Sequence, residues 1–402
     1  MGLPRSALRL PYLPPEKAGD IDAAFGLHPI LGVDAYSQRE FAADDYVHRA
    51  GQLRTMDEDR ALFDGLMQGI GVKRKLTNAI LAEGGFDFVM SVLGESHAIG
   101  HQQWHLHDPT HRRYDPAAAA AIGGDPIPRI YRELDESLGQ TLSLVGDDAT
   151  VLVMLSHGMG PHNDGCHLLD EVLTRLDAFD REPPPVNNLS GAAKRVARAF
   201  PGRVQQRITA FAMPAVRRRI GDRPPPPCAE YAEADARARQ RFFLEPNNYV
   251  YGGVRLNLAG RERNGCVQPH EVDQVCKRLT EDLLALVNVA TGGPVINDVI
   301  RADRWYRRAA DDTLPDLFID WARDAPIETV WSTKIGVVHG PYTHWRTGDH
   351  RPDGMLLAYG PGIPTRTTLP PVNIEDLAPG ISARLGVGLE DIDGRAPAWL
   401  AA

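Results

Sequence analysis

With 402 residues, 43% of them hydrophobic and 24% charged, the chain can bury a large core as one big α/β domain or as two smaller ones. Its formal net charge of -9 argues against a nucleic-acid backbone or an anionic membrane as the main partner, and no apolar run reaches the roughly 18 residues of a membrane span. Cys166, Cys228, Cys266 and Cys276 are scattered without a CxxC pair. That argues against a disulfide framework or a thiolate zinc site and fits a reducing cytoplasm.

Residues 1–30 are proline-rich and show no opening strand, and no apolar h-region of a signal peptide is present. Residues 36–82 read as helical, with one helix from Asp57 through Met67 and another from Lys75 through Ala82. Phe86 to Leu93 reads as a buried strand by length and by β-branched and aromatic content, stopping at Gly94. Histidines then recur four apart, so His97, His101 and His105 would share one helix face. Five of the chain's 14 histidines fall between His97 and His111.

Ile127–Leu144 reads as a helix with Ile130, Leu134, Leu138 and Leu142 at i+4 steps. Thr150–Leu155 is the next strand, breaking at Ser156-His157-Gly158-Met159-Gly160. Residues 162–250 carry two proline runs and arginine-rich helices and read as a helical cap inserted in the domain, with Arg217, Arg218 and Arg219 on a solvated helix face. Tyr249–Leu258 resumes strand-like alternation and Pro269–Val289 is an amphipathic helix. Pro315–Trp321 and Met355–Tyr359 read as short buried strands, and a helix near Asp376–Leu385 precedes an Asp393-Gly394 turn. Strands alternating with helices, without a repeat of 20–50 residues, make this an α/β sheet protein.

Three strand ends carry histidines beside glycines and carboxylates: Glu95-Ser96-His97 with His101, Ser156-His157-Gly158, and Asp349-His350-Arg351. Ligands gather beyond the carboxyl ends of strands in open α/β sheets, and neutral imidazoles with an open position make a catalytic divalent-metal site. Asp349 could orient an imidazole or merely close a turn. Arg351 and Arg261 could bind phosphate, although Arg261 with Glu262 reads better as a structural ion pair. His105, His107, His111 and Asp108 could extend the metal site, contact substrate or form a polar shell.

These elements resemble the alkaline phosphatase superfamily, in its type I phosphodiesterase/nucleotide pyrophosphatase branch. Glu95-Ser-His97-Ala-Ile-Gly-His101 resembles the family's Glu-x-Asp-x-x-x-His element, which serves one metal, and Ser156-His157-Gly158-Met159 resembles the Ser-Asp-His-Gly-Met strand end that serves a second. Gly348-Asp349-His350-Arg351 resembles the Gly-x-His-Arg element whose histidine returns to the first metal. Arg255-x-Asn257-x-x-Gly260-Arg261-Glu262 and Asp376-Leu-Ala-Pro379 with Leu385 and Asp393-Gly394 resemble two further elements, so five occur in the family's order across residues 85–160 and 250–395. The resemblance implies a single phosphatase-like domain over residues 1–402, with a mostly parallel sheet flanked by helices and the 162–250 cap. It also implies a metal-dependent hydrolase of phosphodiesters or phosphomonoesters.

Two departures qualify that expectation. The family's aspartates are replaced by His97 and Ser156, leaving His97, His101 and His350 as an all-imidazole first site, which can still bind zinc or manganese, and His157 to hold or border a second metal. Glu95, Ser156, His105, Asp349 and Arg351 are the candidate substrate or supporting residues. No strand ending in Asp and followed by a Thr or Ser nucleophile precedes residue 85, so the chain is expected to begin inside the family's domain. Metal-activated water is then the expected nucleophile. The alternatives are a degenerate, non-catalytic member that keeps the fold and a metal or partner, and an enzyme of sulfate esters or phosphonates. The partners expected are a small phosphate ester and a second copy, or a partner chain, that pairs with an exposed sheet edge.

Overall fold

The computed structural model describes residues 55–181, 240–245, 250–305, 312–340, 342 and 346–401. In chain order its elements begin with helices α1 (Met56–Glu83), α2 (Glu95–Gln103), α3 (Pro116–Ala121) and α4 (Pro126–Leu142), then strands β1 (Val151–Leu155) and β2 (Gly158–Pro161). Helix α5 (Cys166–Arg181), strands β3 (Phe242–Leu244) and β4 (Gly252–Leu256) and helix α6 (Val272–Leu284) follow. Strands β5 (Val287–Asn288), β6 (Ile296–Arg301), β7 (Leu317–Trp321), β8 (Thr329–Ser332), β9 (Gly336–His339), β10 (Gly348–Arg351) and β11 (Met355–Tyr359) lead to helices α7 (Leu377–Arg384) and α8 (Ala398–Ala401). The expectations for residues 1–30, for Arg217–Arg219 and for most of the 162–250 cap lie outside the described residues. The described chain falls into two compact units, one running to Pro161 and resuming at Arg346, the other between them.

The first unit starts with a well-specified helix. Thr55 and Glu58 form a capping box, with Glu58 N–H donating to Thr55 Oγ1 at 3.3 Å and Thr55 N–H to Glu58 Oε2 at 2.7 Å. Three acidic residues in the first turn suit the helix dipole. Leu62, Leu66 and Ile70 recur at i+4, so one stripe of α1 packs with Phe63 against Ala98 and Ile99 of α2 and Ile127 and Ile130 of α4. Helix α4 is entered through Asp125, which accepts Ile127 N–H at 3.0 Å, and Pro126 at the first helical position. Two helices were expected within α1; the chain runs through as one, because residues 68–74 contain no proline and keep the stripe.

Three expectations are corrected here. The sheet is not a mostly parallel one: every named strand pair among the described residues is antiparallel, β1 with β11, β2 with β10, β3–β4–β7–β6 and β5–β8–β9. Fully apolar runs resemble parallel core strands, but pairing is set by which edges meet in space, and Val151–Leu155 meets Tyr359–Met355 head to tail. Residues 86–93 form no strand, and Phe88 and Met90 stand 52% and 68% exposed; apolar composition alone cannot hold an extended segment without a partner edge. Met355, Leu357 and Tyr359 alternate outward as exposed residues, so β11 is a strand but not a buried one.

In the second unit, α5 and α6 contribute Leu169, Leu173, Leu279 and Leu283 to a core with Val254, Leu317 and Ile319 of the four-stranded sheet. Among the described residues no helix is long and apolar enough to cross a membrane, and no disulfide joins Cys166, Cys266 or Cys276. The mixed α/β class holds.

Candidate metal centre

Helix α2 and strand β10 build the site between them. His97 and His101 sit one turn apart on the same face of α2, and His350 comes from β10, which is anchored by its ladder to β2, His350 opposite Met159. The three Nε2 atoms converge: His97 to His350 is 2.9 Å, His97 to His101 is 3.1 Å and His101 to His350 is 3.0 Å. A divalent ion about 2.0–2.1 Å from each nitrogen spaces its ligand atoms about 2.8–3.0 Å apart at right angles and about 3.3–3.4 Å apart in a tetrahedron. The triangle falls within that span.

The protonation of the rings agrees. The only role open to a carbonyl is acceptor, so Gly348 O, 2.8 Å from His101 Nδ1, fixes the proton on Nδ1 and leaves the Nε2 lone pair facing the other rings. Burial, with Arg346 nearby, pushes the His101 imidazole down to about 3, and burial with His157 pushes His350 down to about 4. Both rings are therefore neutral ligands near pH 7 rather than mutually repelling cations.

His157 joins from the end of β1. Its Nδ1 donates to Gly158 O at 2.9 Å, which again leaves Nε2 to bind. Its ring centroid lies 3.9 Å from that of His350 and 5.4 Å from that of His97, and its ligand atom falls within 4.8 Å of theirs. It can serve as a fourth ligand or border a second ion. Ligand atoms of His101, Asp349 and His350 also lie within 4.8 Å of one another. Asp349 Oδ1, however, accepts His350 N–H at 2.8 Å and stands 4.0 Å from His101 on its Nδ1 side, so this carboxylate faces away from the Nε2 triangle and supports the backbone of β10.

The other named residues divide. Glu95 is buried at the start of α2 and pairs with Lys73 of α1 at 3.0 Å, fixing the helix that carries His97. Ser156 is exposed beside His157. Arg351 donates to Pro161 O at 2.7 Å and His350 O at 3.2 Å, a use in holding β2 and β10 rather than a phosphate fork. His105 is not on the α2 face with the other two, because the helix ends at Gln103 and tightens into a 3-10 turn over Trp104–Leu106. His107 pairs with Asp125 at 2.7 Å on the surface. Arg261 contacts Asp316 and Glu262 in the second unit at 2.6 and 2.8 Å, the structural ion pair expected.

Asp59, Thr347 and Gly348 belong to the site's surroundings; Gly348 opens the Gly-x-His-Arg element, and no role was assigned to any of the three from sequence. Asp59 is 3% exposed on α1, takes hydrogen bonds from Gln103 Nε2 through its carbonyl and carboxylate at 2.7 and 3.1 Å, and lies 3.9 Å from His105 Nε2. A Cβ on Gly348 would fall 2.1 Å from Gly100 O, so the close approach of β10 to α2 requires glycine. The signals that could have found them are the glycine of that element and, at Asp59, an acidic residue within the apolar stripe of α1. No family model matches the chain, and no curated protein or solved structure matches it either.

Proposed function

We propose that this chain is a cytoplasmic, metal-dependent hydrolase of phosphodiesters or phosphomonoesters, of the alkaline phosphatase kind, with His97, His101 and His350 as metal ligands and His157 as a fourth ligand or the start of a second site. The observation that carries the reading is the 2.9–3.1 Å triangle of Nε2 atoms. Zinc suits three neutral imidazoles, with manganese as the alternative. A bound divalent ion supplies Lewis acidity to a phosphoryl oxygen and acidifies water. The chain's own part is to hold the three rings convergent, through Gly348 O, the Asp349–His350 bond and the Glu95–Lys73 pair. Turnover of a bis-aryl phosphate with added zinc or manganese, abolished in His101→Ala and His350→Ala, tests it. Less than about one bound divalent ion per purified chain would remove the metal centre altogether.

A second, non-catalytic reading rests on where the triangle sits. An ion there would staple α2 to β10 across some 250 residues of sequence, and such binding free energy is folding free energy. It predicts metal-dependent melting with no turnover of phosphate, sulfate or phosphonate esters. Hydrolysis of an aryl sulfate but not of the phosphate would point instead to a sulfatase-like enzyme. The exposed apolar side chains of residues 86–92 and β11 support a second copy, or a partner chain, as the protein partner.

A further inference from the structure

Where α2 ends, its own hydrogen bonding is replaced by that of a residue about 240 positions away. In a continued helix His101 O would accept His105 N–H. Instead Thr347 N–H donates to His101 O at 2.8 Å, with Thr347 Oγ1 also within 3.4 Å of that carbonyl. His105 N–H turns to Thr347 Oγ1 at 3.4 Å, and His105 Nδ1 lies 3.2 Å from the same hydroxyl. Thr347 thus stands in for the missing helical bond, offering a donor to one side and an acceptor to the other. The next residue, Gly348, receives His101 Nδ1. His101, Gln103, His105, Thr347 and Asp59 are all 3% exposed or less, so none of these bonds is exchanged readily with water.

We infer that Thr347 is a positioning residue for the metal centre: its amide and hydroxyl grip the backbone of His101 and His105 so that Gly348 O is held where it orients the His101 ring. The inference rests on the metal-binding reading above. Two features of the geometry point to positioning rather than general packing. The contacts are polar and two of them fall on the carbonyl of the ligand residue His101, and they come from the residue immediately before β10, the strand that delivers His350, so the Thr347-Gly348 dipeptide registers both halves of the ligand set. His105 completes the grip by holding the hydroxyl, which gives this histidine a role away from the ion itself.

The test is zinc affinity of the purified full chain, measured by chelator competition, for wild type, Thr347→Val and Thr347→Ser. Valine keeps the shape and the amide and removes the oxygen; serine restores it. Loss of such an outer contact lowers metal affinity about 10–100-fold, so Thr347→Val should weaken zinc binding by that factor and Thr347→Ser should return it to near the wild-type value. Melting of the metal-free proteins shows whether each variant is folded. If Thr347→Val does not fold, Thr347→Ala is compared with Thr347→Ser in the same way. Wild-type affinity in a folded Thr347→Val, or no rescue by serine, overturns the positioning role and leaves the metal centre standing. A wild-type chain that takes up no zinc overturns the metal centre itself.

Discussion

Gly348→Ala tests whether the seam between α2 and β10 is as tight as the site requires. Gly348 does not need a left-handed backbone; the constraint is space alone. An added Cβ would lie 2.1 Å from Gly100 O and 2.8 Å from Trp104 Cβ, where contacts below 3.0 Å are essentially never made. Backbone and a rigid ring-bearing Cβ cannot yield as a side-chain tip would, so β10 must retreat by about 1 Å. That motion breaks the bonds from Thr347 N–H to His101 O and from His101 Nδ1 to Gly348 O, both 2.8 Å. Each is worth about 1 kcal/mol, and overpacking adds about 1–3 kcal/mol. The sum, about 3–5 kcal/mol, is a large share of the stability of a typical domain. The same shift carries His350 Nε2 from 3.0 Å to about 4 Å from His101 Nε2, too far for both to meet one ion about 2.1 Å from each at the angles of the wild-type site. Urea unfolding of the metal-free protein and zinc titration of the native one should therefore fail together. A Gly348→Ala protein within 1 kcal/mol of wild type and with unchanged zinc affinity would show that the close approach is not what holds the site.

Gly100→Ala is the matching contrast: its Cβ would meet Met159 Cε at 2.8 Å, the end of a flexible chain, and alanine's better helix propensity of about 1 kcal/mol offsets the crowding, so urea midpoints should barely move. His111 is pushed down from 6.5 to about 4, chiefly by burial and then by Arg112 and Arg113. Its unfolded form takes up a proton first, so the stability tied to the neutral ring is complete above pH 6.5 and is lost as pH falls toward 4. The loss is about 2 kcal/mol after allowance for solvent screening; His111→Gln should flatten the urea stability profile between pH 7 and 4.5, and an unchanged slope refutes the assignment. The exposed apolar run predicts association: size exclusion at high concentration should show a species larger than 44.1 kDa, reduced to monomer by Phe88→Asp with Met90→Asp. A wild-type chain that elutes only as monomer removes that partner. His97→Ala should lower zinc affinity as much as His350→Ala does, since both rings close the same triangle.

The readable parts of the chain were those governed by neighbours in sequence. The i+4 stripe of α4 and the one-turn spacing of His97 and His101 are local, and a helix turns them into geometry directly. The mixed α/β class followed from the same local periodicities. The end of α2 did not follow: the four-residue spacing continued to His105, while Thr347 diverts the bonds of that turn, a contact no local pattern encodes.

Sequence by itself thus determined which imidazoles are candidate metal ligands and that one helix presents His97 and His101, because ligand chemistry and helical period are properties of short segments. The meeting of His350 with His97 and His101 was an expectation of the motif resemblance, and only tertiary structure gives its distances; tertiary structure alone decided that β1 pairs antiparallel with β11 and that Phe86–Leu93 forms no strand. Each of those outcomes depends on a partner far along the chain, and burial or pairing is a property of two surfaces, not of the composition of one.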